Sequence, residues 1–140
     1  MKDSAVRRWS RFHTYVYRGT RGRLGRRLVD NDMLLLTTVG HVTGRAHTVP
    51  LLYLRDGGRL VVIASFGGRP DHPAWYHNLV ARPEVTVQVA EQRMLMTAVT
   101  ATPGEREVWW PRIEAAYDGY TAYQSRTDRV IPVVFLEPAQ

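Results

Sequence analysis

The residues best able to do chemistry in this chain are phenols and hydroxyls. Tyr117, Tyr120 and Tyr123 recur every third residue, and on one turn-like segment this spacing places three phenols along one edge. Such an edge stacks on a planar ligand and donates hydrogen bonds to it. The spacing predicts an aromatic wall facing a flat ligand, with packing of the three rings in the core as the alternative.

A glycine loop at residues 64–69 offers a second set of ligand contacts. Residues 64–78 read as a strand end, a loop containing Gly67 and Gly68, and a helix start. Glycines let a ligand approach the backbone, and a helix N-terminus presents free N–H groups that favour phosphate or carboxylate. The pattern matches neither a P-loop nor a dinucleotide fingerprint, so an ordinary strand-to-helix connection is the alternative.

An earlier turn has similar chemistry. Residues 40–53 begin with Gly40, Thr43, Gly44 and Arg45, and such a segment leaves backbone N–H groups free to meet an anion. It is therefore a candidate anion-binding turn. A plain β-hairpin is the alternative.

Composition excludes several kinds of catalysis. The chain has no cysteine, so it has no disulfide, thiolate metal site or cysteine nucleophile. It also offers no catalytic triad and no carboxylate pair. His72 and His77 are five residues apart, which predicts different helix faces and no metal site.

The positive charge lies almost entirely at the N-terminus. The formal net charge is +6 over 140 residues. Residues 1–30 hold nine basic and two acidic residues, a balance of +7, whereas the remaining 110 hold ten basic and eleven acidic residues, a balance of −1. We therefore separate a basic arm, residues 1–30, from one domain at residues 31–140, a size that suits a single core.

The basic arm carries an apolar stripe. Val6, Trp9, Phe12 and Val16 recur at helical spacing between arginines, which predicts an amphipathic helix over residues 5–17. No apolar run is long enough for a signal peptide or a membrane span. The stripe favours a lid over an apolar pocket or a helix on an anionic membrane surface, with a helix packed on the domain as the alternative. Nucleic acid is not expected as a partner, because the rest of the chain has no basic patch.

The main domain is predicted to be mainly β. Apolar alternation between turn signals predicts strands at residues 33–39, 46–54, 60–65, 84–90, 93–101 and 130–136. An Asp-Gly turn at residues 55–59 joins the second strand to the third. Three antiparallel strands in close succession argue against a parallel βαβ fold.

Two helices separate the strands. The first is expected between Asp71, as its N-cap, and Arg82, and the second over residues 103–117 after a capping box formed by Thr102 and Glu105. Pro111 is expected to kink the second helix. The order α-β-β-β-α-β-β-α-β closes most simply as a partly open barrel flanked by helices.

Taken in order, these segments resemble one protein family. The matching pieces within residues 34–138 are residues 34–40, residues 50–53, Ser65, Gly67, Gly68, residues 72–78, Tyr120, Tyr123, Gln124 and residues 126–132. The set resembles the deazaflavin-dependent nitroreductase family of actinobacteria. The fold that this resemblance implies is an antiparallel split β-barrel related to the FMN-binding split barrels.

The resemblance also implies a function. It is that of an oxidoreductase that uses coenzyme F420, an 8-hydroxy-5-deazaflavin, to pass a hydride to a quinone, nitro compound or similar small acceptor. The cofactor then carries the chemistry, while the protein positions it and excludes water and oxygen. No acid, base or nucleophile on the protein is obligatory, which agrees with the composition.

Site residues follow by resemblance. Those implied for the acidic cofactor tail are His41, Val42, Thr43, Arg45, His47, Phe66, Gly67 and Gly68. Those implied beside the deazaflavin ring are Pro50, Leu52, Tyr53, Ile63, Ala64, Ser65, Ala74, Trp75, Tyr76, His77 and Asn78. Facing the acceptor, where a hydroxyl orients an oxygen or passes a proton, are Ser65, Tyr117, Tyr120 and Tyr123.

The sequence departs from the family at charged positions. Family members commonly place Arg or Lys at the positions occupied here by His41, Val42 and His47, and often Lys at that of Phe66. A charge-assisted hydrogen bond contributes about 1.5–3 kcal/mol, so losing two weakens binding by roughly 10²-fold or more. Arg45, Arg69 and protonated histidines are the available replacements.

Two other functions stay open from the sequence. One is a protein of the same fold that binds a cofactor or apolar ligand without turnover, which the lost basic positions favour. The other is an FMN-dependent oxidoreductase, because related split barrels bind FMN through similar loops. A cytoplasmic monomer or homodimer is expected, with the arm able to lie on the inner face of the membrane.

Overall fold

The computed structural model describes residues 33–139. The basic arm and its predicted helix lie outside these described residues. The elements that follow are, in chain order, β1 (Met33–Val39), β2 (Ala46–Leu52), β3 (Leu54–Asp56), β4 (Arg59–Ile63), a 3-10 turn (Phe66–Gly68), α1 (Ala74–Ala81), β5 (Glu84–Val89), β6 (Gln92–Thr100), α2 (Pro103–Ala116), α3 (Gly119–Ser125) and β7 (Val133–Pro138).

The strands form one antiparallel sheet with the order β2-β1-β5-β6-β7-β4-β3. β1 pairs along its whole length with β2, from Met33 opposite Leu52 to Val39 opposite Ala46. The last strand, β7, lies inside the sheet between β6 and β4. The C-terminal strand therefore joins the first half of the domain to the second.

The two edge strands of this sheet are consecutive in the chain. β2 and β3 lie at opposite ends of the strand order, yet only Tyr53 separates Leu52 from Leu54. Two consecutive peptide units span roughly 7 Å at most, so the sheet must curl until its edges meet at Tyr53. The result is the partly open antiparallel barrel that the sequence predicted.

Strand alternation divides the apolar side chains between the two faces of the sheet. On β4, Leu60 and Val62 face the barrel interior, whereas Val61 and Ile63 pack beneath the helices. The buried interior cluster is Leu34, Leu36, Tyr53, Leu60, Val62, Ala64, Trp75, Leu79, Val85, Val87, Val89, Met96, Ala98, Val134 and Leu136. The buried cluster beneath the helices is Val61, Ile63, Trp109, Ile113, Tyr120, Ile131, Val133 and Phe135.

α2 begins as the sequence predicted. Glu105 N donates to Thr102 Oγ1 at 3.2 Å, and Thr102 N donates to Glu105 Oε1 at 2.9 Å, which completes the capping box. Trp109 and Ile113 are the buried residues of the helix. Pro111 lies inside α2, as expected; the kink stays a prediction.

The predicted hairpin is tighter in the structure. β2 ends at Leu52, and β3 takes residues that the sequence assigned to the turn. Asp56 pairs with Arg59 across the hairpin, where Arg59 Nε and Asp56 Oδ2 are 2.6 Å apart. The break at Tyr53 arises because this buried residue is the corner of the barrel.

Two other expectations about elements are wrong. β7 begins at Val133 rather than at residue 130, because residues 124–131 are engaged in side-chain hydrogen bonds described below. A separate helix, α3, follows α2, so the order of the described elements is β-β-β-β-α-β-β-α-α-β. A single residue, Asp118, separates Tyr117, the C-cap of α2, from the start of α3.

Candidate active site

The β1–β2 turn, residues 40–47, is tied to itself by its own backbone. Gly40 N donates to Arg45 O at 2.7 Å, and Gly44 N donates to Gly40 O at 2.8 Å. Arg45 N donates to Thr43 Oγ1 at 3.2 Å. These three N–H groups are therefore not free for an anion, whereas the N–H groups of Val42 and Thr43 make no hydrogen bond to the described residues.

The side chains of this turn include the positively charged groups that it exposes. His41, Val42, Thr43, Arg45 and His47 are all exposed. Among the described residues, the Arg45 guanidinium has no acidic partner, and the turn itself contains no Asp or Glu. Two imidazoles and a guanidinium are thus the positive or potentially positive groups that a ligand would meet there.

Asn78 connects this turn to α1. Its Oδ1 accepts a hydrogen bond from His41 N at 3.0 Å and lies 2.7 Å from His41 Nδ1. Its Nδ2 donates to Thr38 Oγ1 at 3.0 Å. Asn78 is 3% exposed, so its amide positions the turn instead of facing a ligand.

The same contact selects a tautomer of His41. Because the amide oxygen of Asn78 only accepts, His41 Nδ1 must carry a proton. In neutral His41 the other ring nitrogen, Nε2, is then an acceptor, and only protonation makes it a donor. The ring nitrogen of His41 that is left for a ligand is therefore Nε2.

The glycine loop has an unusual backbone. Phe66, Gly67 and Gly68 all have positive φ, at 47°, 64° and 77°. Gly68 N donates to Ser65 O at 2.9 Å, and Arg69 N donates to Phe66 O at 3.2 Å. For Phe66, a residue with a Cβ, this left-handed conformation is strained, and such strain is common at functional sites.

The two glycines of the loop face different surroundings. A Cβ added to Gly67 would have nothing within 4 Å, whereas one added to Gly68 would overlap the carbonyl oxygen of Tyr123. Gly68 is therefore required for the loop to pack against α3. Gly67 is exposed and leaves open space for a ligand.

The start of α1 differs from the prediction. The N-cap is Pro73, not Asp71, and it makes no side-chain capping bond. Its carbonyl accepts from Tyr76 N at 3.0 Å, because the chain turns into the helix two residues later than expected. His72 therefore precedes the helix, and its ring lies 5.7 Å from that of His77 instead of on another helix face.

The predicted residues of α1 divide between the surface and the core. Ala74 and His77 are exposed. Trp75 packs in the barrel interior, and Tyr76 packs against it from the side, with its hydroxyl 3.1 Å from Thr100 Oγ1. Ala74 and His77 are thus exposed to a ligand, Tyr76 is partly exposed, and Trp75 and Asn78 are buried.

The three tyrosines form a row of edge-to-face rings. Tyr117 and Tyr120 have ring centroids 6.0 Å apart, and Tyr120 and Tyr123 have centroids 5.9 Å apart. Tyr120 is buried beneath the helices, while Tyr117 and Tyr123 pack against the same cluster and stay partly exposed. The row thus combines the wall and the core-packing interpretations.

Tyr117 and Tyr120 differ in their hydroxyls. Tyr117 Oη donates to Tyr53 O at 3.2 Å, which joins α2 to the corner of the barrel. Tyr120 makes no hydrogen bond through its hydroxyl to the described residues. Burial raises the pKa of Tyr120, and the neighbouring Tyr117 and Tyr123 raise it further, so this phenol stays protonated at neutral pH.

Ser65 lies between the glycine loop and the barrel. It is 9% exposed, and its hydroxyl makes no capping bond to the 3-10 turn that follows. Its carbonyl is engaged by Gly68 N and by Arg129. The hydroxyl is therefore available to a ligand.

The remaining predicted residues lie at the edge of this site. Ala64 faces the barrel interior and Ile63 packs beneath the helices beside Tyr120. Leu52 packs with Met33 and Leu35 on the outer face of the sheet, and Pro50 shares that face by alternation. The chain connects Pro50 and Leu52 to the other site residues through Tyr53.

Contacts between these segments create one surface, which we call the site rim. It comprises the β1–β2 turn, the first turn of α1, the glycine loop and α3. Asn78 joins the β1–β2 turn to α1, Arg129 joins the loop to His72 just before α1, and Gly68 packs against α3. Segments far apart in sequence are thus neighbours in space.

Arg129 is the residue of this site that sequence reasoning missed. It donates to Ala64 O at 3.2 Å, Ser65 O at 2.7 Å and Arg69 O at 2.8 Å. The family resemblance included residues 126–132 but assigned them no role. A lone arginine in a loop has no periodicity, so no pattern could have revealed these contacts.

The described residues offer neither a metal-binding cluster nor a membrane-spanning helix. Among residues 33–139, no group of three or more His, Asp or Glu side chains is arranged to hold a metal ion. In that same part of the chain, no helix has the length and apolarity needed to cross a membrane.

Comparisons with known proteins agree with the geometry. The family model described as F420H(2)-dependent quinone reductase matches residues 9–138. An F420H(2)-dependent quinone reductase of Mycobacterium tuberculosis is 43% identical over 130 residues, which cover 90% of this chain and 87% of that protein. A solved structure titled as an F420-H2 dependent reductase has a TM-score of 0.69 and 40% identity, covering 76% of this chain and 94% of the other. Another, described as a domain-swapped dimer, has a TM-score of 0.71 and 37% identity, covering 92% and 97%.

Proposed function

The chain belongs to the F420H(2)-dependent quinone reductase family, and we propose that its site rim holds coenzyme F420 beside the quinone. The protein is an F420-dependent oxidoreductase that acts on quinones. Of the functions that the sequence left open, the enzyme is therefore the one supported, with F420 as its cofactor. The roles of the individual site residues are part of the proposal.

The charge of the rim suits the acidic tail of the cofactor. Residues 40–52, 64–70 and 119–125 contain no Asp or Glu, and Asp71 is the one acidic residue of residues 71–78, although the domain beyond the arm is slightly acidic. Arg45 is exposed without an acidic partner among the described residues. An anion is thus drawn to this surface, with Arg45 as its permanent cation.

The hydroxyls suit the acceptor. When bound, the reduced deazaflavin supplies a hydride, and a quinone that receives it also takes a proton to become a hydroquinone. The Ser65 hydroxyl and the Tyr120 phenol make no hydrogen bond to the described residues, and the raised pKa of Tyr120 keeps it a donor. Donors already in place stabilise the charge that develops on a quinone oxygen.

The observation that carries this proposal is the open space over Gly67. Gly67 is exposed in the glycine loop of the rim, has φ of 64° and has nothing within 4 Å of an added Cβ. A large side chain there would occupy the space that we assign to the cofactor. Gly57, in the β3–β4 turn, has φ of 61° and equal space, but it lies at the opposite end of β4.

These glycines provide a matched experiment. Titration of the wild-type protein with oxidised F420, followed by deazaflavin fluorescence, is expected to saturate, with FMN as a parallel control. Gly67→Trp should abolish binding, whereas Gly57→Trp, with the same backbone strain, should leave it intact. Equal binding by the two variants would contradict the assignment of the cofactor to this rim.

Further acceptors and the arm belong to the same proposal. We infer that nitro compounds are also reduced, since a nitro oxygen accepts the same hydrogen bonds as a quinone oxygen.

The basic amphipathic arm would hold a cytoplasmic enzyme at the inner face of the membrane, where apolar quinones lie. Sedimentation with anionic liposomes, compared between the full chain and one lacking residues 1–30, tests this; equal sedimentation would rule it out.

The assembly is a separate question. One similar structure is described as a domain-swapped dimer, and we propose a homodimer for this chain in preference to a monomer. Light scattering at several concentrations is the measurement. A mass near the 16.0 kDa of one chain at every concentration would contradict the dimer.

A further inference from the structure

The Arg129 guanidinium makes most of the side-chain hydrogen bonds to the backbone of the glycine loop, and Arg126 Nη1 adds one to Gly67 O at 3.3 Å. Arg129 Nη1 donates to Ala64 O at 3.2 Å, Nη2 donates to Ser65 O at 2.7 Å, and Nε donates to Arg69 O at 2.8 Å. Nη1 also lies 2.9 Å from His72 Nδ1. These partners lie 57 to 65 residues before Arg129 in the chain.

The backbone of Arg129 is itself fixed. Gln124 Nε2 donates to Arg129 O at 2.8 Å, and Arg129 N donates to Thr127 Oγ1 at 3.2 Å. Gln124 Oε1 in turn accepts from Ile131 N at 3.0 Å. The guanidinium therefore extends from a rigid segment that joins α3 to β7.

The loop needs such support. Phe66 has φ of 47°, and a left-handed residue with a Cβ persists only where its surroundings impose it. The carbonyls of Ala64 and Ser65, just before Phe66, are the groups that Arg129 holds. An arginine has a planar fork of donors that reaches several carbonyls at once, which a lysine lacks.

We propose that Arg129 is a positioning residue of the reductase: by holding three carbonyls of the glycine loop, it keeps the Ser65 hydroxyl and the open backbone of Gly67 facing the ligand. The proposal rests on the proposed function, because it takes the loop to line the cofactor site. Arg129 acts through the loop and need not touch the cofactor.

The pKa of His72 depends on the charge of the Arg129 guanidinium. Because Arg129 only donates, His72 Nδ1 accepts, and neutral His72 carries its proton on Nε2. Burial lowers the pKa of His72, and the charge of Arg129 lowers it further. Removing that charge should therefore raise the pKa of His72.

The first test compares two arginines. Arg129→Gln is expected to raise the Kd for F420 by about tenfold or more, as for loss of a charged hydrogen bond, and Arg129→Lys to retain part of the affinity. Arg59→Gln is the control, since Arg59 is likewise engaged, by the Asp56 carboxylate and 4.0 Å over the Phe135 ring, but at the opposite end of β4 from the loop. A Kd for Arg129→Gln within about twofold of the wild type, or an equal rise in Arg59→Gln, would overturn the proposal.

The second test needs no ligand. In Arg129→Gln the Gly68 amide, which donates to Ser65 O, should exchange with solvent faster relative to the Val62 amide in the barrel, and His72 should titrate at a higher pH by NMR. Uniform acceleration of all amides would mean global destabilisation and would overturn the proposal. If Arg129→Gln does not fold, Arg129→Lys is measured in the same way.

These measurements separate two failures. Absence of F420 binding by the wild-type protein would refute the proposed site, whatever the loop does. Normal Gly68 exchange in a variant without Arg129 would refute the positioning role, even where F420 binds to the wild type.

Discussion

At the scale of single residues, the site depends on which side chains are already committed to the protein. The polar groups of Asn78 and Arg129 form hydrogen bonds to neighbouring segments. The Arg45 guanidinium and the Ser65 hydroxyl stay available to a ligand. A binding residue and a supporting residue are thus distinguished by their hydrogen-bond partners and not by their residue type.

Asn78→Leu tests the connection between the β1–β2 turn and α1. The change leaves Thr38, which is 1% exposed, without its donor and should lower the free energy of unfolding by about 2–4 kcal/mol. Urea unfolding measures the loss. Adding Thr38→Val should recover part of it, because removing both partners of a buried hydrogen bond costs less than removing one; no recovery would contradict this account.

His72 predicts a pH dependence of stability. Burial and Arg129 lower its pKa below the ordinary value, so the unfolded chain binds this proton more readily than the folded one. The corresponding stability is present above about pH 6.5 and is lost as the pH falls through the pKa of the folded state.

His72→Asn removes that titration while keeping an acceptor for Arg129. The loss of unfolding free energy between about pH 7.5 and pH 5.5 should be smaller in the variant than in the wild type. Urea midpoints at the two pH values provide the comparison. An equal loss in both proteins would show that His72 does not contribute.

At the scale of elements, the connections between helices and loops matter more than the helices themselves. α3 is only seven residues long, yet it carries two of the three tyrosines and packs on the glycine loop. Its position therefore controls both sides of the site.

Gly68→Ala should displace α3 from the loop. The new Cβ would overlap the carbonyl oxygen of Tyr123, and φ of 77° is unfavourable for alanine. We expect a loss of stability of roughly 2 kcal/mol or more and a higher KM for the quinone. Gly44→Ala is the control for backbone strain, because Gly44 has φ of 73° but open space around an added Cβ. An equal loss of stability in Gly44→Ala would show that the contact between Gly68 and α3 does not contribute.

The capping box of α2 is a purely local device. Thr102→Ala removes the acceptor of Glu105 N and should lower the free energy of unfolding by about 1 kcal/mol. Thr102→Ser keeps the hydroxyl and should cost less. Because the cap is exposed and its two hydrogen bonds join only Thr102 and Glu105, F420 affinity should not change, and a change would contradict the local role.

At the scale of the whole molecule, the barrel and the excess positive charge lie in different parts of the chain. The described sheet, both large apolar clusters and the entire rim come from residues 33–139. The excess positive charge lies in residues 1–30. Folding and targeting are thus predicted to be separable.

A chain starting at residue 31 tests this division. It should unfold cooperatively in urea and bind F420 with a Kd within about threefold of that of the full chain, since every residue proposed for the tail and the ring follows Gly40. Its affinity for anionic liposomes should fall. A chain that does not fold would show that the arm is part of the domain.

The sequence by itself determined most of the strands, the start of α2 and the family, but not β3, α3 or the N-cap of α1. Local signals act over a few residues: alternation placed β1 and β5 almost to the residue, the Thr102–Glu105 pair marked the start of α2, and the ordered motifs indicated an F420-dependent split barrel. Each of these signals depends only on neighbours along the chain.

Only the tertiary structure decided which groups are free. Closure of the sheet at Tyr53 brings residues 40–47, 64–78 and 117–129 together, and their contacts then occupy Asn78, bury Tyr120 and attach Arg129 to a loop some 60 residues earlier in the chain. Such contacts join residues with no common spacing, so no sequence pattern encodes them. They depend on how the sheet curls, which is a property of all its strands at once.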